Sequence, residues 1–306
     1  MPRGRAIHSV VGMTNMKAAV VRAFGGPAAL TVTDLPIPAP APGEVLVKIA
    51  AAAVNPADIG MRDGRYPWRD APRMPIVPGY DITGTVAALG DGLAGTGLAV
   101  GDRVLAITMH AVTQTGSYAE YAALPARQVV ATPANLGLVE AVTLPLNALT
   151  ARRIVERLDL DAGRTLLVNA PRSAVGAYVA QWAASAGITV VAPDEVTGPV
   201  DAAVDTIGGT RARAAFDAVA DGGRYVSIVP EFWVPGGVFA AERGIEPALV
   251  ALHSLGDGDL GDVVRAVESG ELVPTPVDRT MPLSEAVRAH ELLEAGGLRG
   301  KLVLTP

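Results

Sequence analysis

TLLVNA (Thr165–Ala170) reads as a buried strand, and VGAYVAQWAASAG (Val175–Gly187) reads as the helix after it. A turn between such a strand and helix can hold a pyrophosphate, because backbone N–H groups and the positive end of the helix dipole converge there. That chemistry asks for glycines, which turn tightly and let the backbone approach the anion. The turn in this chain, APRSAVG, keeps only Gly176. Alanine is strained wherever φ must be positive, Cβ atoms fill phosphate space, and Pro171 lacks an N–H donor. Arg172 offers a direct phosphate ligand, against the plainer reading of a solvated loop arginine; Ser173 and Gly176 complete the set that would touch a retained cofactor. ITVVA (Ile188–Ala192) reads as a second strand, and a further βα unit is expected after it to hold the adenosine half of a dinucleotide. Instead PDEVTGP (Pro193–Pro199) runs straight into VDAAVDTIGG (Val200–Gly209). Asp194 stands where an acid can bind the ribose of NAD, and with Glu195 it would repel a 2′-phosphate. Parallel neighbours normally need a crossover of about a dozen residues, and a link of roughly seven reaches ~25 Å at most. Either the second strand is displaced or the sheet is rebuilt locally. The residues therefore describe a nicotinamide-type scaffold that holds its cofactor poorly or not at all.

The surrounding chain limits what this scaffold can be. At 306 residues, half of them hydrophobic, only 4% aromatic and 34 of them glycine, it suits Ala/Val-rich βαβ layers in one large or two medium domains. A net charge of −6 with no Lys/Arg-rich run makes nucleic acid and anionic membrane poor partners. The absence of cysteine excludes disulfides, thiol catalysis and thiolate metal sites. No apolar run approaches the ~20 residues of a membrane span. A soluble cytoplasmic protein is expected, with residues 1–15 an N-terminal extension, either an upstream start or a disordered arm, before the strand that opens at Met16.

MKAAVVRAF and ALTVTDLP read as a hairpin around Gly25-Gly26-Pro27, followed by the Pro-rich connector PIPAPAPGE. EVLVKIAAAAVN, DITGTVAALG, GDRVLAITM and GSYAEYAAL (Gly116–Leu124) add short strands punctuated by Gly and Pro, the pattern of a partly open barrel. From Leu138 the period lengthens to helical spacing, with a break at Pro145. From Thr165 strands alternate with helices, and the chain ends on an amphipathic helix, a Gly-Gly stop and a strand.

MKAAVV, NPAD (Asn55–Asp58), PGYDITG (Pro78–Gly84), GDRV, GSYAEY, LTA (Leu149–Ala151), DTIGG (Asp205–Gly209), GGRYVSI and RGKLVLT stand in the order of one family. The chain resembles the medium-chain dehydrogenase/reductase superfamily, in its zinc-independent quinone-oxidoreductase branch, from Met16 to Pro306. The resemblance implies an α/β fold: a GroES-like β-barrel domain (16–137 plus 281–306) and a reduced Rossmann-like parallel-sheet domain (138–280). Its usual reaction is hydride transfer from NADPH to a quinone or an activated C=C bond. Where zinc-dependent relatives place Gly-His-Glu this chain has Gly79-Tyr80-Asp81, and His8, His110, His253 and His290 show no paired spacing, so no catalytic metal is expected. The family turn resembles N-G-A-A-G-G-V-G against Asn169–Gly176 here, and family members place a helix, strand and helix where this chain has its short link; Asp194–Val196 reads as a remnant of that third strand.

Carried over residue by residue, Asn55 and Tyr66 match positions lining the pocket where nicotinamide and substrate meet, Asp58 is the acid of the same motif, and Thr150 contacts the nicotinamide end. Such an amide, phenol and carboxylate can polarise a conjugated carbonyl and shuttle a proton. NPAD is also a good turn with an Asx-type bond, and Asp81 reads as a barrel brace, Tyr118 and Tyr121 as packed aromatics. His110 is the histidine to test as a general acid/base; Trp68, Asn147, Phe232 and Trp233 are expected to shape a substrate pocket. The eroded turn leads to the expectation of a cofactor-free cyclase, isomerase or dehydratase acting on an enone or polyene, with secondary metabolism as its setting. The alternatives are an NAD(P)H-dependent quinone or enone reductase and a non-catalytic scaffold homologue. A homodimer through the strands of GGRYVSIVPEFWVPGGVF follows from the resemblance.

Overall fold

The computed structural model describes residues 14–65, 71–109, 113–229, 240–252 and 259–306. They form two compact units, one of residues 1–146, 253–265 and 274–306, the other of residues 147–252 and 266–273. The sequence reading divides the chain at 137/138 and 280/281; the compact units divide at 146/147 and, on the return, at 273/274. The fold is α/β, a barrel-like unit and a parallel-sheet unit.

In the first unit β1 (Asn15–Val21) pairs antiparallel with β2 (Leu30–Pro36). A seven-stranded sheet runs β13 (Val277–Pro282), β14 (Lys301–Thr305), β3 (Glu44–Ala53), β4 (Asp81–Leu89), β5 (Arg103–Ile107), β7 (Val129–Ala131), with β6 (Tyr121–Pro125) also on β3. Alternating apolar residues close its core: Val45, Val47 and Ile49 of β3 meet Ile82 and Val86 of β4 and Val104 and Ala106 of β5. GSYAEYAAL is a strand only from Tyr121 onward; before it Ala119 makes a single bridge to Ala18. Helices α1 (Pro56–Asp63), α2 (Leu138–Ala141) and α7 (Ala286–Ala295) lie in this unit. Pro145, read as a break, opens helix α3 (Pro145–Leu158), where its missing N–H is no loss. Among the described residues no helix is long and apolar enough to cross a membrane.

The second unit is one parallel sheet, ordered β12 (Pro247–Leu249), β11 (Val219–Ser227), β10 (Val200–Asp205), β8 (Thr165–Val168), β9 (Thr189–Val191). Helix α4 (Ala174–Ser185) follows β8 and α5 (Gly209–Asp217) follows β10; α6 (Asp259–Glu268) belongs partly to each unit.

The second strand is not displaced: β9 lies beside β8 in parallel register. The short link closes because the strands are short. β9 ends at Val191, level with Leu167, and β10 enters at Val200, two residues below Ala202, which is level with Leu166. The chain falls about three residues, ~10 Å, and crosses two strand spacings, ~10 Å, well inside the reach of the intervening link. Asp194–Val196 is no strand remnant: Pro193–Glu195 is a 3₁₀ turn, held by the Glu195 carboxylate accepting from the Ala192 N–H at 2.7 Å. Val196 packs against the core cluster that includes Leu167, Val200 and Phe216, which anchors the link to the sheet unit. Of the stretch expected to form a dimer edge, β11 is interior, residues 230–239 lie outside the described residues, and the sheet edge is β12.

Candidate active site

In the barrel unit, Asn55 is the N-cap of α1, Pro56 its first residue and Gly64, at φ 88°, its left-handed C-cap. The Asx turn anticipated at NPAD does not form. Asp58 takes the capping role, its Oδ2 accepting from the Asn55 N–H at 2.8 Å, while the Asn55 amide turns inward. Its Nδ2 donates to Asp81 Oδ2 at 2.8 Å and to the Ala53 carbonyl at 3.3 Å, and its Oδ1 accepts from Lys301 Nζ. Asp81 Oδ1 accepts from the Leu146 N–H at 2.7 Å. All four side chains are buried.

A second line of contacts reaches Asp58 from α7. Arg62 Nη1 is 3.2 Å from His290 Nδ1, and Arg62 Nη2 donates to Glu294 Oε1 at 2.6 Å. A guanidinium only donates, so His290 Nδ1 accepts and the neutral ring carries its proton on Nε2. Nε2–H then donates to Tyr118 Oη at 3.1 Å, and the Tyr118 O–H donates to Asp58 Oδ2 at 3.0 Å. Asp58 Oδ1 is buried with no partner among the described residues. Burial pushes the Asp58 carboxyl up to about 7; the Asn55 N–H pulls against it, Asp81 adds to it, and Lys301 and Tyr118 oppose it. Burial also raises Asp81 against the pull of Lys301, lowers Lys301 despite both acids, and with the Arg62 charge lowers His290 to about 4. The arrangement buries an acid whose pKa is raised toward neutrality and fixes the start of α1; it does not present the Asn55 amide as a free donor.

In the sheet unit, strand order reverses between β8 and β10, the place where open α/β sheets bind ligands beyond their C-terminal ends. Two loops meet there. The Ala170–Ser173 turn is closed by Ser173 N–H to the Ala170 carbonyl at 3.0 Å, with Pro171 in the second position, where its fixed φ suits the turn. Ser173 caps α4, accepting from the Gly176 N–H at 3.0 Å and donating to the Ala170 carbonyl at 2.9 Å. The loop after β10 is gathered by Asp205, which accepts from the N–H groups of Ile207 (3.0 Å) and Gly208 (2.8 Å), from Ser227 Oγ (2.8 Å) and from Asn169 Nδ2. Asn169 Oδ1 accepts in turn from the Thr206 N–H at 2.9 Å, tying the two loops together.

The strain expected of the glycine-poor turn is absent. No residue from Ala170 to Gly176 has positive φ. Gly176 is where glycine is indispensable: a Cβ there would lie 2.1 Å from the Ala170 carbonyl oxygen. The positive-φ glycines are in the other loop, Gly208 at 80° and Gly209 at 64°.

Of the sequence-predicted residues, the structure brings Asn55 and Asp58 into one buried network, and Ser173 and Gly176 into one turn with exposed Arg172 beside them. Asn147 and Thr150 are buried, three residues apart on α3. Asp194 is exposed on the link after β9. Tyr66, Trp68, His110, Phe232 and Trp233 lie outside the described residues. Sequence reasoning missed Lys301, His290 and Arg62; Tyr118, read as a packed aromatic, is packed in the core and also carries the hydrogen bonds to Asp58 and His290. Among the described residues no group of His, Asp and Glu side chains is arranged to hold a metal ion.

Comparison with known proteins gives the same fold throughout. The family model for the alcohol dehydrogenase GroES-like domain matches residues 41–134, and that for zinc-binding dehydrogenase matches 180–304. The chain is 31% identical to a 2-methylene-furan-3-one reductase of Solanum lycopersicum, over 86% of this chain and 72% of that one. It is 29% identical to a chloroplastic NADPH-dependent alkenal/one oxidoreductase of Arabidopsis thaliana, over 95% and 80%. The structure of a quinone oxidoreductase from Coxiella burnetii superposes with TM-score 0.83 at 26% identity, covering 95% of this chain and 99% of that one. These likenesses overturn the expectation of a cofactor-free cyclase, isomerase or dehydratase. These three proteins are reductases or oxidoreductases by name, and one of them is NADPH-dependent. The physical error lay in counting glycines, when the turn's dihedral angles require none before Gly176.

Proposed function

We infer the activity from one premise: the chain belongs to the medium-chain dehydrogenase/reductase superfamily, in its quinone-oxidoreductase-like branch. It is an enzyme, and the reading its site supports best is an NAD(P)H-dependent reductase of a conjugated C=C bond in an enone or alkenal, with quinones as a second substrate class. The observation that carries this reading is the unstrained Ala170–Gly176 turn at the switch point of the sheet. The names of the tomato and Arabidopsis relatives support the substrate class.

The phosphate end of a nicotinamide cofactor fits the residues present. Ser173 Oγ takes up the Gly176 N–H, and the first helical bond of α4 runs from Ala177 to Ser173. The N–H groups of Ala174 and Val175 precede that bond and point out of the helix start, with exposed Arg172 adding charge beside them. The bound dihydronicotinamide supplies a hydride. Reduction of a conjugated C=C bond also needs a proton at the neighbouring carbon and polarisation of the carbonyl. Tyr66, two residues beyond the C-cap of α1, is the proposed proton donor, and His110 the second candidate. Asn55 and Asp58 act as positioning residues, fixing the start of α1 through Asp81 and Lys301. Asn147 and Thr150 are proposed to contact the nicotinamide end. A homodimer is part of the same reading, supported by β12 being an edge of the sheet among the described residues and by the exposure of Leu249.

The test is oxidation of NADH and NADPH by the purified protein with alkenals, enones and quinones, followed at the nicotinamide absorbance. Turnover supports the reading, and none above background with any pair sinks it. Tyr66→Phe is expected to lower kcat about 100-fold with KM little changed; an unaltered kcat would remove Tyr66 from the chemistry.

A further inference from the structure

A doubly wound dinucleotide sheet has strand order 3-2-1-4-5-6, and its first three strands with their connections wall the adenosine half of the cofactor. Here the order is β9-β8-β10-β11-β12, which supplies strands 2-1-4-5-6 and no third. β9 is three residues long and, among the described residues, is an edge of the sheet. No helix and no further strand follow it; the chain makes the Pro193–Glu195 turn and enters β10 at Val200. The half of the molecule that would enclose adenine and its ribose is therefore a short exposed link. Its residues Pro193, Asp194, Glu195, Thr197, Gly198 and Pro199 are all exposed, and it contains no lysine or arginine. Glu195 is already committed to the Ala192 N–H, and Asp194 faces solvent. The phosphate side, by contrast, is built: a closed turn, a capped helix and the Asp205 clamp.

This disagreement between the two halves has a consequence for the cofactor, resting on the reductase reading above. We propose that the enzyme accepts a dihydronicotinamide lacking the adenosine half, reduced nicotinamide mononucleotide, about as well as it accepts NADH. The single phosphate of the mononucleotide meets the start of α4, and the missing adenosine forfeits few contacts because the link offers few. The two acids of the link further disfavour the 2′-phosphate of NADPH relative to NADH.

The experiment is a titration of the purified full-length protein with reduced nicotinamide mononucleotide, NADH and NADPH, read by nicotinamide fluorescence, then turnover of an enone with each donor. The expected result is a Kd for the mononucleotide within tenfold of that for NADH, a difference below about 1.4 kcal/mol, and weaker binding of NADPH. Tighter binding of NADH or NADPH by more than tenfold overturns the proposal while turnover with NADH leaves the reductase reading standing. Failure of all three to bind or to reduce the enone overturns both. A variant, Asp194→Arg, separates the halves: NADPH affinity rises several-fold and that of the mononucleotide stays the same, whereas a parallel change in both contradicts the assignment of this link to the 2′-phosphate side.

Discussion

His290 and Asp58 titrate in opposite senses, which makes their coupling through Tyr118 measurable. Burial raises Asp58 from 3.8 to about 7, so between those values the folded protein keeps a proton that the unfolded chain has released. Stability from this group is present at low pH and falls as pH rises through that window. Burial and Arg62 lower His290 from 6.5 to about 4, so the folded protein lacks a proton that the unfolded chain binds, and stability rises with pH over that window. The two slopes oppose each other from about pH 4 to 6.5, and Asp58 acts alone just above. Replacing His290→Gln removes one slope. The variant's unfolding free energy, read from denaturant melts, should fall relative to wild type as pH rises from about 4.5 to 6.5, by up to ~1.4 kcal/mol per pH unit. Parallel profiles would contradict the assignment. Lys301 sets a second test: Lys301→Met leaves two buried acids facing each other and should cost about 3 kcal/mol in denaturant melts, with Asp81→Asn restoring part of the loss. A cost below about 1 kcal/mol, or no rescue, would show that the lysine does not balance these acids.

At the scale of elements, the β8–α4 turn sets the start of α4. Ser173→Ala removes the cap of α4 and should cost about 1 kcal/mol in stability. Gly176→Ala is the more damaging change, because its Cβ meets the Ala170 carbonyl oxygen and α4 must move away from β8. It should weaken dihydronicotinamide binding more than tenfold; unchanged binding would mean the turn does not hold the cofactor. Much of this layer was legible in the sequence. Val45, Val47 and Ile49 alternate as a strand must, Pro145 opens a helix, and the jump from Ile188–Ala192 to Val200 announces the missing βα unit. The turn was misjudged because glycine content stood in for dihedral angles: Pro171 fits its position, and the glycines that need positive φ lie after β10. The barrel network was not legible at all. Lys301 reads as an ordinary polar strand residue and His290 as one polar position of an amphipathic helix, and both are buried by partners 246 and 172 residues away. No local pattern carries contacts of that range. Of the site residues beyond the described segments, Tyr66 rests on the sequence resemblance and His110 on its loop position in TMHAVTQTGS.

For the whole molecule, the barrel unit fixes α1 through a buried network of acids, amide and lysine, and the sheet unit has the capped Ala170–Gly176 turn and, among the described residues, no strand beyond β9. A dimer formed through β12 should elute at twice the 31.3 kDa chain mass and revert to one chain mass in Leu249→Lys; monomeric wild type would remove that part of the proposal. Hydride transfer is the step to test. The purified enzyme is mixed with NADH or NADPH and an α,β-unsaturated aldehyde or ketone, nicotinamide absorbance is followed, and the product is analysed by mass. The expected result is loss of the reduced nicotinamide signal matched by a saturated product that has gained a hydride and a proton across its C=C bond. A substrate that returns unreduced, or one that isomerises or cyclises with the nicotinamide untouched, would contradict it.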